Sequence, residues 1–222
     1  MSWFKSKPEV PEAYREYAES IRGLKRSTTP IRNQKFLVVD TETTGLNVNT
    51  DSIVSIGIVP IRGYVIHSED TREWIIQSDQ PSGGGASIHG VMPHDQRSGI
   101  PAKEAAEEFL MAADGAIVVG HHIGFDAAML DAFLRHQLRV PFLNPTYDTG
   151  HMFRRLKGTP YRLFDMEPAV EALDKICEDL GIPIDDRHTA LGDAAATAIL
   201  FMRLLKDLEK RGVNTTAKLL AR

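Results

Sequence analysis

Between residues 8 and 24 (PEVPEAYREYAESIRGL) the apolar positions Val10, Tyr14, Tyr17, Ile21 and Leu24 follow one another in steps of four and three, drawing a stripe along one face of a helix. Pro11 suits its first turn and Gly23 its exit. Ser27, Thr28, Thr29 and Pro30 then read as a linker. Residues 1–34 are thus expected to be an amphipathic helical extension with its linker, and residues 35–222 the main domain. The stripe has two readings, a docking face for a partner or packing on the chain's own domain.

From residue 35 the period changes. KFLVVDT is apolar and β-branched, and DSIVSIGIVPI, GYVIHSE and TREWIIQ continue a meander of strands. PSGGGASIHG, residues 81–90, reads as a loop. A helical pattern over 101–113 precedes a short buried strand, AIVVGH, and a helix starting near Phe125 with apolar Ala128, Met129, Ala132 and Phe133. TYDTG at 146–150, a helix at about 168–180 and a long Ala/Leu-rich helix at about 189–209 follow. Leu191, Ala194, Ala195, Ala198, Met202 and Leu205 mark the buried side expected of that last helix. Strands first, then alternating helix and strand, predict an α/β fold with a mixed sheet covered by helices.

Composition narrows the class. With 42% hydrophobic and 25% charged residues among 222, the chain suits one globular domain rather than a disordered or collagen-like segment. Its single cysteine, Cys177, cannot pair within the chain and sits near the apolar stripe of a helix, which points to a reducing, cytoplasmic setting. No apolar run approaches the roughly 20 residues of a membrane helix, and MSWFKSKPEV lacks the apolar core of a secretory signal. A formal charge of −4 provides no global positive field for a polyanion. Basic residues cluster at Arg22, Lys25, Arg26, Arg32 and Lys35 and at Arg154, Arg155, Lys157 and Arg162, as local anion contacts or simply solvated faces.

The candidate chemistry lies in acids. In LVVDTETTGL, Asp40 and Glu42 are one residue apart at the end of an apolar strand, so a period of two points both to the same face. Their repulsion is relieved by a cation between them or by a proton on one. Hard oxygen ligands favour magnesium or manganese over zinc or copper. A strand end entering a polar turn also produces such a pair without any chemistry. Asp126 in GHHIGFDAAML opens a helix, where its charge also suits the helix dipole. Asp193 in RHTALGDAAAT interrupts a run of small and apolar residues, and a carboxylate lodged there needs a partner. His188, just before that helix, can fold its ring back toward the same acid, and an ordinary imidazole suits a base at neutral pH. Paired cysteines and an HExxH helix are missing, and the glycines at 83–85 lack a following GKS or GKT.

In order along the chain, DTETTG at 40–45, HHIGFD at 121–126 and HTALGD at 188–193 strongly resemble the three motifs of the DEDDh exonucleases. That family includes the proofreading epsilon subunit of bacterial DNA polymerase III and ribonuclease T. The resemblance covers about residues 35–210. It implies a ribonuclease H-like fold in which Asp40, Glu42, Asp126 and Asp193 bind two divalent cations, Mg2+ or Mn2+, and His188 takes the proton of the attacking water. The implied reaction removes nucleoside 5′-monophosphates from a 3′ end. Thr43, Gly45 and Leu46 match the stretch that lines the terminal nucleotide's pocket in similar enzymes, with the glycine allowing close approach to the sugar and Leu46 wedging against a base. His89, in SIHGV, matches the family's HG element near the scissile phosphate or terminal sugar; as a polar loop residue it also needs no such role. Phe125 completes the candidate substrate contacts, and Asp148 in YDT matches a recurrent acid that supports the ligands. The second motif departs from the family pattern by carrying His122 where asparagine is usual.

The partner expected on these grounds is a single-stranded 3′ end, DNA ahead of RNA, with no membrane. RNA-directed trimming is the alternative activity. A polymerase docked through the N-terminal helix, or a second copy of the chain using the Arg154–Arg162 cluster, completes the candidate partners.

Overall fold

The computed structural model of the chain describes residues 10–78, 90–158 and 172–221. Its centre is β1 (Lys35–Thr43), whose run Phe36, Leu37, Val38 and Val39 is buried on both faces. A strand with no polar side can only lie inside a sheet covered on both sides. On one flank β2 (Ile53–Arg62) pairs antiparallel with β1, and on the other β5 (Ala116–Gly120) runs parallel to it. The short strands β3 (Val65–Ile66) and β4 (Arg72–Ile75) both pair with β2, and β6 (Thr146–Asp148) extends the sheet beyond β5. The mixed sheet flanked by helices is the predicted α/β architecture.

Alternation along β1 divides the core in two. Phe36 and Val38 face a cluster completed by α5 (Thr149–Lys157), α6 (Leu173–Leu180) and α7 (Ala190–Lys210), where Phe201 meets the Phe36 ring edge-on at 4.9 Å. Leu37 and Val39 face the opposite cluster, built with α3 (Ala102–Ala113), α4 (Gly124–Leu138) and α1 (Arg15–Ile21). Two short helices, α2 (Pro93–Arg97) and α8 (Thr216–Leu220), complete the described α-helices.

The N-terminal segment differs from its sequence reading. The regular helix is short, α1, preceded by one 3-10 turn at Glu12–Tyr14. Tyr17 and Ile21 are buried in the core, with Tyr14 and Leu24 packed beside them, so the stripe is used up inside the protein and is not a free docking face. Tyr17 Oη donates to Asn144 Oδ1 (2.6 Å) and accepts from the Leu143 amide (3.0 Å). The expected linker is pinned too: the Thr216 amide donates to the Thr29 carbonyl and the Ala217 amide to the Ser27 carbonyl. A polar stretch ties down well when its backbone groups find partners, which composition does not show.

Three other readings change in detail. The strand expected in GYVIHSE shrinks to two residues because a 3-10 turn at Ser68–Asp70 follows it. On α7, Leu191, Ala195 and Met202 are only half-buried, while Thr197, Phe201, Leu204 and Leu208 lie inside. A helix clasped between a sheet and two other helices buries more than one stripe. Arg155 donates to the carbonyls of Lys218, Leu219 and Ala221, so this cation caps a helix end rather than forming an open basic patch. Arg162 and the loop expected at 81–90, apart from Gly90, lie outside the described residues.

Candidate active site

Asp40 and Glu42 share the parity of Phe36 and Val38, so they point to the α7 side of the sheet at the carboxyl end of β1. Asp193 enters from the first turn of α7. Each of the three brings one carboxylate oxygen within 4.8 Å of the others'. Thr41 has the opposite parity and faces α4. Its amide (3.0 Å) and its hydroxyl (2.7 Å) both donate to Asp126 Oδ1, fixing the fourth acid in the first turn of that helix.

The position of α7 depends on a residue without a side chain. Gly57 on β2 pairs with Asp40 on β1, and α7 begins directly over it: a Cβ at Gly57 would lie 2.3 Å from the backbone of Ala190. The rest of the third motif shapes the helix start. Thr189 caps it, accepting from the Gly192 amide (3.0 Å) and donating to the Asp186 carbonyl (2.7 Å). Asp186 and His188 both adopt left-handed backbone angles, φ 54° and 62°, which turn the chain sharply into the helix.

The acids crowd one another. Burial, then the charges of Asp126, Asp193 and Glu42, hold the Asp40 carboxyl well above the ordinary range. Glu42 is pushed up to about 7 by burial and then by Asp193 and Asp126. Burial raises Asp126 to about 6 despite its bonds from Thr41. Among the described residues one cation reaches the group: Arg187 forms ion pairs with both Asp193 and Asp174 on α6, and its charge opposes the rise at Asp40 and Glu42.

The remaining candidates are placed as follows. His188 is exposed on the turn before α7. Leu46, 84% exposed at the tip of the loop after β1, is a large apolar side chain offered to solvent beside the acids' strand. Thr43 Oγ1 donates to the Gly45 carbonyl (2.8 Å), shaping that loop. The space beside Gly45 is filled by Asp51, whose carboxylate would lie 2.6 Å from an added Cβ, so the close approach of that side chain requires a glycine here. Phe125 is half-buried at the start of α4. Asp148 braces the second motif, accepting from the Ile123 amide (3.0 Å) and the His151 amide (3.1 Å). His122 stands exposed at φ 58°, a left-handed conformation uncommon for residues other than glycine and asparagine. His89 lies outside the described residues.

Sequence reasoning missed Thr41, Gly57 and Arg187. Thr41 and Arg187 sit inside or next to the motifs, and a basic residue flanking an acid motif was the available signal for Arg187. Nothing local marks Gly57, since its partner Ala190 is 133 residues away in sequence.

The mixed sheet, with an acid cluster at the carboxyl end of its central strand, has the exonuclease (ribonuclease H-like) fold. Residues 37–201 match the Exonuclease family (RNase_T), and the chain belongs to it. The chain is 32% identical over 193 residues to a DNA polymerase III subunit epsilon-like protein of Rhodobacter capsulatus, covering 84% of this chain and 26% of that protein. It is 28% identical over 200 residues to a PolC-type DNA polymerase III of Thermotoga petrophila, covering 90% of this chain and 14% of that one. Among solved structures it resembles E. coli exonuclease I in complex with a dT13 oligonucleotide, at a TM-score of 0.67 and 17% identity over 81% of this chain and 43% of that chain. The chain thus spans about a quarter or less of these two curated relatives. No helix among the described residues is long and apolar enough to cross a membrane.

Proposed function

We propose that the protein is a divalent-metal-dependent 3′–5′ exonuclease that releases nucleoside 5′-monophosphates from single-stranded ends, DNA in the first instance, in the cytoplasm. The observation that carries this reading is the convergence of Asp40, Glu42 and Asp193 within 4.8 Å, with Asp126 anchored alongside by Thr41. The donor set consists of carboxylate oxygens alone, which fits hard ions such as Mg2+ or Mn2+. Two such ions held there supply Lewis-acid charge at the scissile phosphate and a more acidic water.

The chain's own residues do the rest. Asp40 and Glu42 present their carboxylates from one strand face, and Asp126 and Asp193 close the group from two helices. His188 takes the proton of the attacking water from its exposed turn. Leu46 packs against the terminal base. The Exonuclease family membership and the dT13 oligonucleotide on exonuclease I support this reading. The polymerase III names of the relatives favour work beside a polymerase, through a surface other than the buried stripe of α1.

The test is a 5′-labelled single strand, DNA beside RNA, incubated with Mg2+, Mn2+ or chelator and read as a product ladder. Shortening from the 3′ end with either ion and none in chelator is expected, and faster RNA shortening would assign the trimming activity to RNA. Asp40→Ala and Asp193→Asn should abolish release while the fold survives; retained activity in a clean preparation of either overturns the site.

A further inference from the structure

We propose that Arg187 is a built-in counter-cation of the acid cluster, seated on Asp193 when no divalent ion is bound and retained by Asp174 alone when one is. The inference rests on the metal site proposed above. Three structural facts carry it. The Arg187 side chain is 26% exposed, and one nitrogen of its guanidinium pairs with Asp193, whose side chain is 11% exposed. A different nitrogen of the same group pairs with Asp174 at the start of α6, outside the cluster of Asp40, Glu42 and Asp193. The Asp193 oxygen that the guanidinium contacts is Oδ1, so a carboxylate needed for a cation is already engaged.

Physical chemistry makes the arrangement an exchange. A buried carboxylate in company with three others is unstable without positive charge, and a planar five-donor guanidinium supplies it without ever losing its proton. A divalent ion brings more charge at shorter range, so binding makes the Arg187–Asp193 pair redundant and sets the guanidinium against the ion's like charge. Asp174 gives the released guanidinium a second partner, which keeps it from being stranded in a partly buried position. Metal affinity is then the difference between what the acids gain from the ion and what they give up with Arg187. The arginine lowers affinity and holds the metal-free site together; Asp174 raises affinity by retaining the arginine.

The experiment is calorimetric titration of the full chain with Mn2+ alone, without nucleic acid, for wild type, Arg187→Met, Asp174→Asn and the double variant, alongside melting curves in chelator. Arg187→Met should bind Mn2+ on the order of tenfold more tightly and melt lower in chelator. Asp174→Asn should bind several-fold more weakly, and that loss should vanish in the Arg187→Met background, because Asp174 acts only through the arginine. Equal affinities across the set, or a loss from Asp174→Asn that is the same in both backgrounds, overturn the exchange and leave the metal site standing. A wild-type protein that takes up no Mn2+ overturns the metal site and the exchange together. If Arg187→Met does not fold without metal, Asp174→Asn decides by itself: unchanged or tighter binding overturns the proposal.

Discussion

Gly57 and Ala190 meet backbone to backbone, with room for no Cβ between them: one added at Gly57 would lie 2.3 Å from the Ala190 carbonyl. Alanine in a strand interior ordinarily does no harm and replaces a flexible residue. Here it must lift the first turn of α7 and carry Asp193 away from Asp40. Gly57→Ala should therefore cost about 1–3 kcal/mol of stability and lose most nuclease activity and Mn2+ binding. Thermal unfolding and calorimetry check this, and full Mn2+ affinity in the variant would contradict the role given to the contact.

A second prediction concerns pH. In the metal-free protein Asp40 titrates well above the ordinary carboxylate range, Glu42 near 7 and Asp126 near 6, against unfolded values of about 4. The folded state holds more protons than the unfolded one between those limits, so the associated stability is present at low pH and is lost as pH rises through the folded values. In chelator the melting temperature should fall between about pH 5 and about pH 8, whereas saturating Mn2+ should abolish that fall. A chelated melting temperature that rises over this interval would show that the acids are not crowded in solution.

Thr41 offers a third test. Its hydroxyl donates to the buried Asp126 carboxylate at 2.7 Å, and Thr41→Val keeps the shape while removing the donor. A loss of about 1–3 kcal/mol in stability is expected from the poorly satisfied carboxylate, with weaker Mn2+ binding. Thr41→Ser should recover both, as read by melting and titration.

The N-terminal segment is predicted to matter for folding rather than for chemistry. Tyr17, Asn144 and Leu143 form a hydrogen-bonded cluster near the start of β6, and Lys35, Ala116 and Thr146 mark the amino ends of the three parallel strands, opposite the acids. Tyr17→Phe should lose about 0.5–1.5 kcal/mol without altering cleavage per folded molecule. Removal of residues 1–30 should expose the apolar surface under Tyr17 and Ile21 and give a destabilised or aggregating protein. A stable truncated domain with the parent's melting temperature would show that the segment is dispensable.

The elements with strong periodicity were readable from residue order alone. KFLVVDT, AIVVG and the long Ala/Leu-rich helix fall where they were expected, because an uninterrupted apolar strand or a helical stripe depends on neighbours only a few residues apart. Asp40 and Glu42 were equally legible, since the strand's period of two fixes their common face. The N-terminal stripe was seen but its partner was not: whether Tyr17 and Ile21 cover a neighbour or their own sheet depends on where residues 143 and 144 arrive.

Local order along the chain therefore decided which side chains are acidic, which share a face and which stretches become strand or helix. Only the tertiary structure decided that Gly57 admits α7, that Thr41 grips Asp126 on the helix it faces and that Arg187 bridges Asp193 to Asp174. Local conformation follows from sterics and hydrogen bonding within a few residues, whereas these contacts exist only once sheet and helices have packed, joining positions that the sequence keeps as many as 133 residues apart.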